Sequence, residues 1–354
     1  MQRVIAIVGP TAVGKTKLSI ELAKQLNGEI ISGDSMQIYR GMDIGTAKIT
    51  PAEMEGIPHH LLDEKDPDER YSVAEFQKTV RAKIDDITKR GKIPIIVGGT
   101  GLYVKAVLYD YEFSEEAPPS EEQYHELSNE EVHAKLAEVD PESAHELHPN
   151  NRRRVVRALN VYHETKTTKT QTLEKQEKKL IYDVTLIGLT DERSALYNRI
   201  DTRVDTMISG GLLDEVKALY EAGIPRESQS IQAIGYKELY DYFDGVTDLE
   251  TAVELTKRNS RRLAKRQYTW FNNQMDVTWF DVDVENFDKT IEDVLVHCVN
   301  QDDDTYIAEG LIIGMMLGTL ATFLFDVDTL WSWMISPGVG MMLGIMIGVN
   351  LKKK

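Results

Sequence analysis

The string GPTAVGKT at residues 9–16 constrains the fold more than any other feature of this 354-residue chain. It follows the apolar run VIAIV at 4–8 and precedes KTKLSIELAKQL, whose apolar residues recur at helical spacing. Gly9, Gly14, Lys15 and Thr16 thus fit the G-x-x-x-x-G-K-[ST] pattern in the setting it needs, a strand before and a helix after. The pattern encodes a phosphate cradle. The backbone of Gly9, Pro10, Thr11, Ala12, Val13 and Gly14, with the helix N-terminus behind it, is expected to surround a di- or triphosphate. Lys15 is expected to neutralise the outer oxygens, and the Thr16 hydroxyl to hold Mg²⁺.

Such a loop belongs to a parallel sheet, and the rest of the chain supplies one. EIISGD (29–34), IPIIVGG (93–99) and DVTLIGL (183–189) are short apolar runs, and TWFDV follows late. Amphipathic segments separate them, including YSVAEFQKTVRAKIDDITKRG with Ser72 as N-cap and Gly91 at its end. Further helices are expected at about 191–223, 231–243, 249–273 and on to about residue 300. The fold class read from this alternation is α/β, a P-loop NTPase-like parallel sheet with helices on both faces. The core comprises residues 1–112 and 183–300, interrupted at 113–182 by a polar, mostly helical insertion with a polar loop near 164–179.

The companions of a nucleotide hydrolase are missing. The third strand ends in Gly98-Gly99-Thr100-Gly101, where a metal-holding aspartate would be expected, and no Asn-Lys-x-Asp string occurs. The acid placed at a strand end beside the loop is Asp34. From the residues alone it is a metal ligand, a kinase-type base or a helix cap.

A net charge of −17 argues against a nucleic-acid partner only until its distribution is read. Residues 114–148 carry eleven acids against Lys135 alone, whereas Arg152, Arg153, Arg154 and Arg157 crowd six positions. The run KRNSRRLAKR (257–266) has six bases and no acid. A local basic face binds RNA phosphate whatever the total charge, although solvated helix faces have the same composition. The single cysteine, Cys298, cannot form an internal disulfide, and the apolar N-terminal run is too short for a signal peptide. A cytoplasmic catalytic unit is expected.

Residues 306–354 differ from the rest. Two apolar runs, beginning at Ile307 and at Thr329, flank DVD, and the chain closes on three lysines. Residues 307–325 would span about 28 Å as a helix, close to one bilayer core. Glycines 310, 314 and 318, and 340, 344 and 348, repeat at four-residue spacing that lets membrane helices approach. The expectation is an apolar helical hairpin at 307–351, embedded in a membrane with both ends cytoplasmic, the alternative being a buried soluble hairpin.

GPTAVGKT, GDSMQIYRGMDIGTAK, IPHHLLD, YSVAEFQ, VGGTGLY, NRRRVVRALNVY, RIDTRVDTMISGGLLDEV, QAIGYKEL and RLAKRQYTWF, in that order, resemble the signature of the tRNA dimethylallyltransferases. The resemblance covers about residues 1–300 and stops before the tail. It implies transfer of a dimethylallyl group from dimethylallyl diphosphate to N6 of adenine 37 in tRNA, with the P-loop holding a leaving group. It further implies that Asp34 accepts the N6 proton and that Thr11 lies near the reacting carbon. Ser35, Met36 and Gln37 would touch the flipped base along with Asp34, and Thr100 would contact the tRNA. Arg203, and less well Arg199, would cap the outer diphosphate charge. The insertion would be the anticodon stem-loop domain, with Arg152, Arg153, Arg154 and Arg157 as its clamp, and the core would act as a monomer. His59 and His60 are expected to be structural, and Tyr103 and Trp270 to belong to the core. The competing classes are an adenylate isopentenyltransferase, a small-molecule kinase and a non-catalytic P-loop RNA-binding protein. An insertion with an arginine cluster has no purpose on a mononucleotide, which disfavours the first.

Overall fold

The computed structural model describes residues 1–111, 122–165, 168 and 179–300. Its centre is a six-stranded, wholly parallel sheet of order β3-β2-β4-β1-β5-β6. The strands are β1 (Arg3–Val8), β2 (Gly28–Ser32), β3 (His59–His60), β4 (Ile93–Gly98), β5 (Asp183–Thr190) and β6 (Thr278–Asp281). β1 lies between β4 and β5, pairing Ile7 with Val97 and with Ile187. Five of its six residues are buried, as expected of a strand covered on both faces.

Two hydrophobic layers do the covering. On one face Val4, Ala6, Val8, Ile31 and Ile96 pack with α2 (Val73–Lys89), α3 (Gly101–Leu108), α8 (Leu212–Glu221) and α9 (Tyr236–Phe243). On the other, Ile5, Ile7, Ile30, Ile95 and Ile187 pack with α1 (Lys15–Leu26), α7 (Arg193–Ser209) and the last helix, 287–300, through Ile291, Val294 and Cys298. The long α10 (Leu249–Gln274) contributes to both, through Ala252 and Phe271 on one side and Ala264 on the other.

The sheet's second strand carries an ion cluster in its interior. The Glu29 side chain is 2% exposed and accepts hydrogen bonds from Nη1 and Nη2 of Arg90. Lys92 Nζ and His60 Nε2 each approach it at 2.8 Å. These bonds, Arg90's first, overcome burial and hold the Glu29 carboxyl far below the usual carboxylate range. They also explain β3. His60 is drawn to the sheet edge by Glu29, while His59 Nδ1 lies 2.8 Å from the Ile57 carbonyl.

Between β4 and β5 the chain departs and returns through adjacent positions. Tyr109 bridges Leu180 antiparallel, the Asp110 N–H donates to the Lys179 carbonyl and the Ile181 N–H to the Leu108 carbonyl. The segment between them holds α4 (Asn129–Val139), α5 (Pro141–Glu146) and α6 (Arg152–Thr165) around a separate small core of Tyr124, Val132, Leu136, Leu147, Val155 and Leu159. Ser128 opens α4 with a reciprocal capping box to Glu131.

The structure differs from the sequence reading in three places. The segment expected as one helix over 191–223 is two, α7 and α8, broken at Gly210-Gly211, where Gly211 takes φ +106°. The helix expected from 231 begins at Tyr236, behind a turn that ends at Gly235. β3 has no counterpart in the sequence reading. The polar loop near 164–179 lies largely, and the hairpin at 307–351 wholly, outside the described residues. Among the described residues no helix is long and apolar enough to cross a membrane.

Glu29→Gln removes the charge that Arg90 and Lys92 share, and is expected to destabilise the fold by about 2 kcal/mol at neutral pH. A carboxyl held low in the folded state contributes stability above its ordinary value of 4.5 and loses it as pH falls toward the folded value. Urea midpoints of parent and variant should therefore converge on acidification below about pH 4.5. Equal midpoints at pH 7 would refute the assignment.

Candidate active site

The C-terminal ends of β1, β2 and β4 lie side by side, so the loops after them meet at one edge of the sheet. The first is the P-loop. Gly9 turns it sharply with φ +139°, and a Cβ there would meet the Leu189 carbonyl oxygen at 2.5 Å. Gly14 is the N-cap of α1, and no side chain caps the amides of the first turn. An uncapped helix N-terminus with its dipole is a standing anion site. Lys15 Nζ reaches back to the Gly9 and Pro10 carbonyls, at 3.0 and 2.6 Å. Burial, helped by the nearby Arg203 charge, lowers the Lys15 ammonium to about pKa 8, against the opposing pull of Asp34.

The second loop carries Asp34. Its Oδ1 accepts the Met36 N–H at 2.8 Å, which orients the carboxylate. Burial raises its pKa, while the Met36 and Gln37 amides, Lys15 and Arg203 pull the other way. Gln37 accepts from Ser32 Oγ at 2.9 Å and donates to the Thr46 carbonyl at 3.2 Å. The third loop supplies Thr100, whose hydroxyl lies 3.4 Å from both the Ser35 N–H and the Ser35 hydroxyl. A Cβ on Gly98 would overlap the Gly33 backbone, so glycine permits the second and third loops to touch.

The two arginines of α7 separate clearly. Arg199 Nε donates to the Ala12 carbonyl at 3.2 Å, and its Nη2 lies 2.5 Å from Asp191 Oδ2. It braces the P-loop from behind. Arg203, half-buried one turn later, has no hydrogen-bond or ion-pair partner among the described residues. Burial lowers its pKa, and the charges acting on it are Asp34 and Glu53. A half-buried guanidinium left without an anion is the group suited to receive one.

Thr16 is exposed at the start of α1 and its hydroxyl makes no hydrogen bond among the described residues. No group of three or more His, Cys, Asp or Glu that could hold a metal occurs among the described residues. The Thr16 hydroxyl alone is the kind of ligand Mg²⁺ takes from a protein when substrate phosphate and water supply the rest.

The remaining expected residues divide. Arg152 is not a free phosphate ligand. Its guanidinium donates to the Tyr124 and Leu127 carbonyls and to Asn129, and so holds the insertion's helices together. Arg153, Arg154 and Arg157 are exposed. In α10, Lys257 pairs with Asp205 and Arg261 with Asp201, leaving Arg258, Arg262, Lys265 and Arg266 exposed. Tyr103 is buried, its hydroxyl donating to the Tyr71 carbonyl, and Trp270 packs on Gly101.

Two site residues escape the sequence reading. Glu215 accepts the consecutive N–H groups of Asp43, Ile44 and Gly45 and the Tyr236 hydroxyl, pinning the loop that follows Gln37. Gln267 accepts the Thr11 N–H at 2.9 Å and donates to the Gly99 carbonyl at 3.1 Å. A carboxylate in SGGLLDEV and an amide beside a basic run carry no periodic signal that announces either role.

A family model described as IPP transferase matches residues 37–274. The chain is 58% identical over 299 residues to the tRNA dimethylallyltransferase of Anoxybacillus flavithermus, covering 83% of this chain and 95% of that one. It is 62% identical over 287 residues to the tRNA dimethylallyltransferase of Bacillus cytotoxicus, covering 79% and 90%. Among solved structures it is similar to the tRNA delta(2)-isopentenylpyrophosphate transferase of Staphylococcus epidermidis, at 47% identity and TM-score 0.65, over 85% of this chain and all of that one. A eukaryotic dimethylallyltransferase acting on tRNA superposes with TM-score 0.74 at 33% identity, over 84% and 78%.

The lowered Lys15 pKa makes anion binding and protonation linked events. An anion in the cradle favours the ammonium, so sulfate, which does not itself titrate in this range, should bind with uptake of a proton between about pH 8 and 9 and with little uptake near pH 6.5. Calorimetric titrations in buffers of different ionisation enthalpy measure that uptake directly. Equal apparent enthalpies in all buffers at the higher pH would contradict it, and Lys15→Met should abolish the uptake.

Proposed function

Because the chain belongs to the IPP transferase family, we propose that it transfers a dimethylallyl group from dimethylallyl diphosphate to N6 of adenosine 37 in tRNA. It is a tRNA-modifying prenyltransferase. The observation that carries the residue-level reading is the meeting of an uncapped helix N-terminus, Lys15 and Arg203, which has no partner among the described residues, with a half-buried carboxylate, Asp34, on the loop after β2.

In this reading the loop amides, Lys15 and Arg203 bind the diphosphate and stabilise the charge that gathers on it as the allylic C–O bond breaks. The electron pair of that bond leaves with diphosphate, and the adenine N6 lone pair forms the new bond to carbon. The N6 proton passes to Asp34, oriented by the Met36 N–H and made more basic than an ordinary aspartate by burial. Thr11 sits at the bend of the loop near the reacting carbon. Ser35, Met36, Gln37 and Thr100 form the wall against which the flipped base is held. Mg²⁺ on Thr16, when bound, supplies further charge neutralisation to the leaving group. Arg153, Arg154 and Arg157 on α6 and the exposed bases of α10 offer phosphate contacts to the anticodon stem-loop, whose unpaired base is cheap to turn out.

Incubation with an anticodon stem-loop RNA, dimethylallyl diphosphate and Mg²⁺ should add one dimethylallyl mass to adenosine 37. Transfer to free AMP alone would replace this reading with the mononucleotide one. Asp34→Asn keeps the acceptor for Met36 but cannot take a proton, so turnover should fall by at least about 10²-fold with stem-loop affinity nearly unchanged. In the parent enzyme the acidic limb of kcat/KM should lie above the ordinary aspartate range, because the base is lost as pH falls through a raised pKa.

Reversing Arg153 and Arg154 to glutamate should weaken RNA binding and lower its log–log salt slope by roughly 0.7 to 0.9 for each RNA phosphate no longer neutralised. A slope and affinity equal to the parent's would place the RNA elsewhere.

A further inference from the structure

We infer that Gln267 is a positioning residue that sets the separation between the donor loop and the acceptor loop; the inference rests on the prenyl-transfer reading above. Its one amide group joins two loops that share no covalent neighbourhood, being 256 residues from Thr11 and 168 from Gly99. Oε1 accepts the Thr11 N–H on the loop that holds the diphosphate. Nε2 donates to the Gly99 carbonyl, next to Thr100. Thr100 in turn meets Ser35, the neighbour of Asp34. A continuous path therefore runs from the leaving-group end of the site to its proton acceptor, and Gln267 is the link that crosses from one to the other.

The packing around that link leaves it little play. A Cβ on Gly99 would overlap the Gln267 amide nitrogen, and one on Gly101 would overlap the Trp270 ring. The first turn of α3 thus lies tight against the last turns of α10. The chemistry of the side chain is equally particular. The link needs an acceptor and a donor at the tip of one side chain of this length. Glutamate supplies only the acceptor at neutral pH, and methionine supplies only a thioether sulfur that accepts weakly.

Such a link matters because the nucleophile must stand within reach of the allylic carbon as the C–O bond opens, and an offset of about 1 Å can cost about 10²-fold in rate. A mispositioned acceptor leaves the carbon to water. The water oxygen then bonds to carbon, the electron pair of the breaking C–O bond departs with diphosphate, and a water proton is released to solvent. The products are dimethylallyl alcohol and diphosphate.

The test uses the full chain with labelled dimethylallyl diphosphate and an anticodon stem-loop, comparing the parent with Gln267→Met and Gln267→Glu. In Gln267→Met, kcat for transfer should fall about 10²-fold while donor Kd and melting temperature stay near the parent's. The fraction of donor recovered as alcohol should rise at the same time. Gln267→Glu keeps the Thr11 bond and loses the Gly99 bond. It should also raise the alcohol fraction, and it carries the test if the methionine variant does not fold. An unchanged kcat overturns the inference. So does a variant whose donor affinity, stability and rate fall together with the alcohol fraction unchanged, since that is the behaviour of a merely structural contact. A parent enzyme that prenylates no RNA overturns the underlying reading instead, and parent turnover distinguishes the two failures.

Discussion

The parallel pairing of β1 with β4 and β5 is the constraint on which everything else rests. Parallel strands all end at the same edge, so a chain that threads β1, β2 and β4 side by side must bring its first three βα loops together. The P-loop, the Asp34 loop and the Gly98–Gly101 loop are neighbours for that reason. Burial of β1 on both faces makes the arrangement rigid, and Gly98 against Gly33 removes the last steric obstacle to loop contact. An anion cradle and a carboxylate are thereby held near one another on a common frame.

Much of the frame is legible in the sequence, because buried parallel strands are written as continuous apolar runs and the P-loop is a local pattern. β1, β2, β4, β5 and the helices of the core follow directly from that. β3 does not, since two residues have no period and their place is set by Glu29, about 30 residues away in the chain. The break between α7 and α8 is written in Gly210-Gly211, a pair that disfavours helix, but the apolar periodicity that runs on through both helices masks it. The helix differences concern local geometry, whereas β3 adds one edge strand to the sheet.

The site is legible only where its residues are contiguous. Lys15 and Asp34 act within the loops that carry them, whereas Glu215 and Gln267 act on loops 172 and 256 residues distant, so their roles are invisible without the fold. The arginines make the same point in reverse. Four look equivalent in NRRRVVR, yet Arg152 is occupied by backbone carbonyls inside the insertion, whereas Arg153 and Arg154 are exposed. Arg199 and Arg203 are one helical turn apart, and one is bound to the loop's carbonyl while the other has no partner among the described residues. Charge tells where a phosphate is welcome; hydrogen-bond satisfaction tells which charge is available for it.

The side-by-side departure and return of the chain at Tyr109 and Leu180 has a consequence for how such a molecule changes over generations. The ends of the inserted segment are already joined by backbone hydrogen bonds, and its helices bury an apolar cluster of their own. Lengthening, shortening or exchanging that segment alters no strand order and threads no loop. The inserted segment and the sheet that carries the Lys15 loop can therefore drift at different rates within one gene. A lineage can exchange the whole inserted segment by recombination at this one paired junction while the loops at the sheet edge stay as they were.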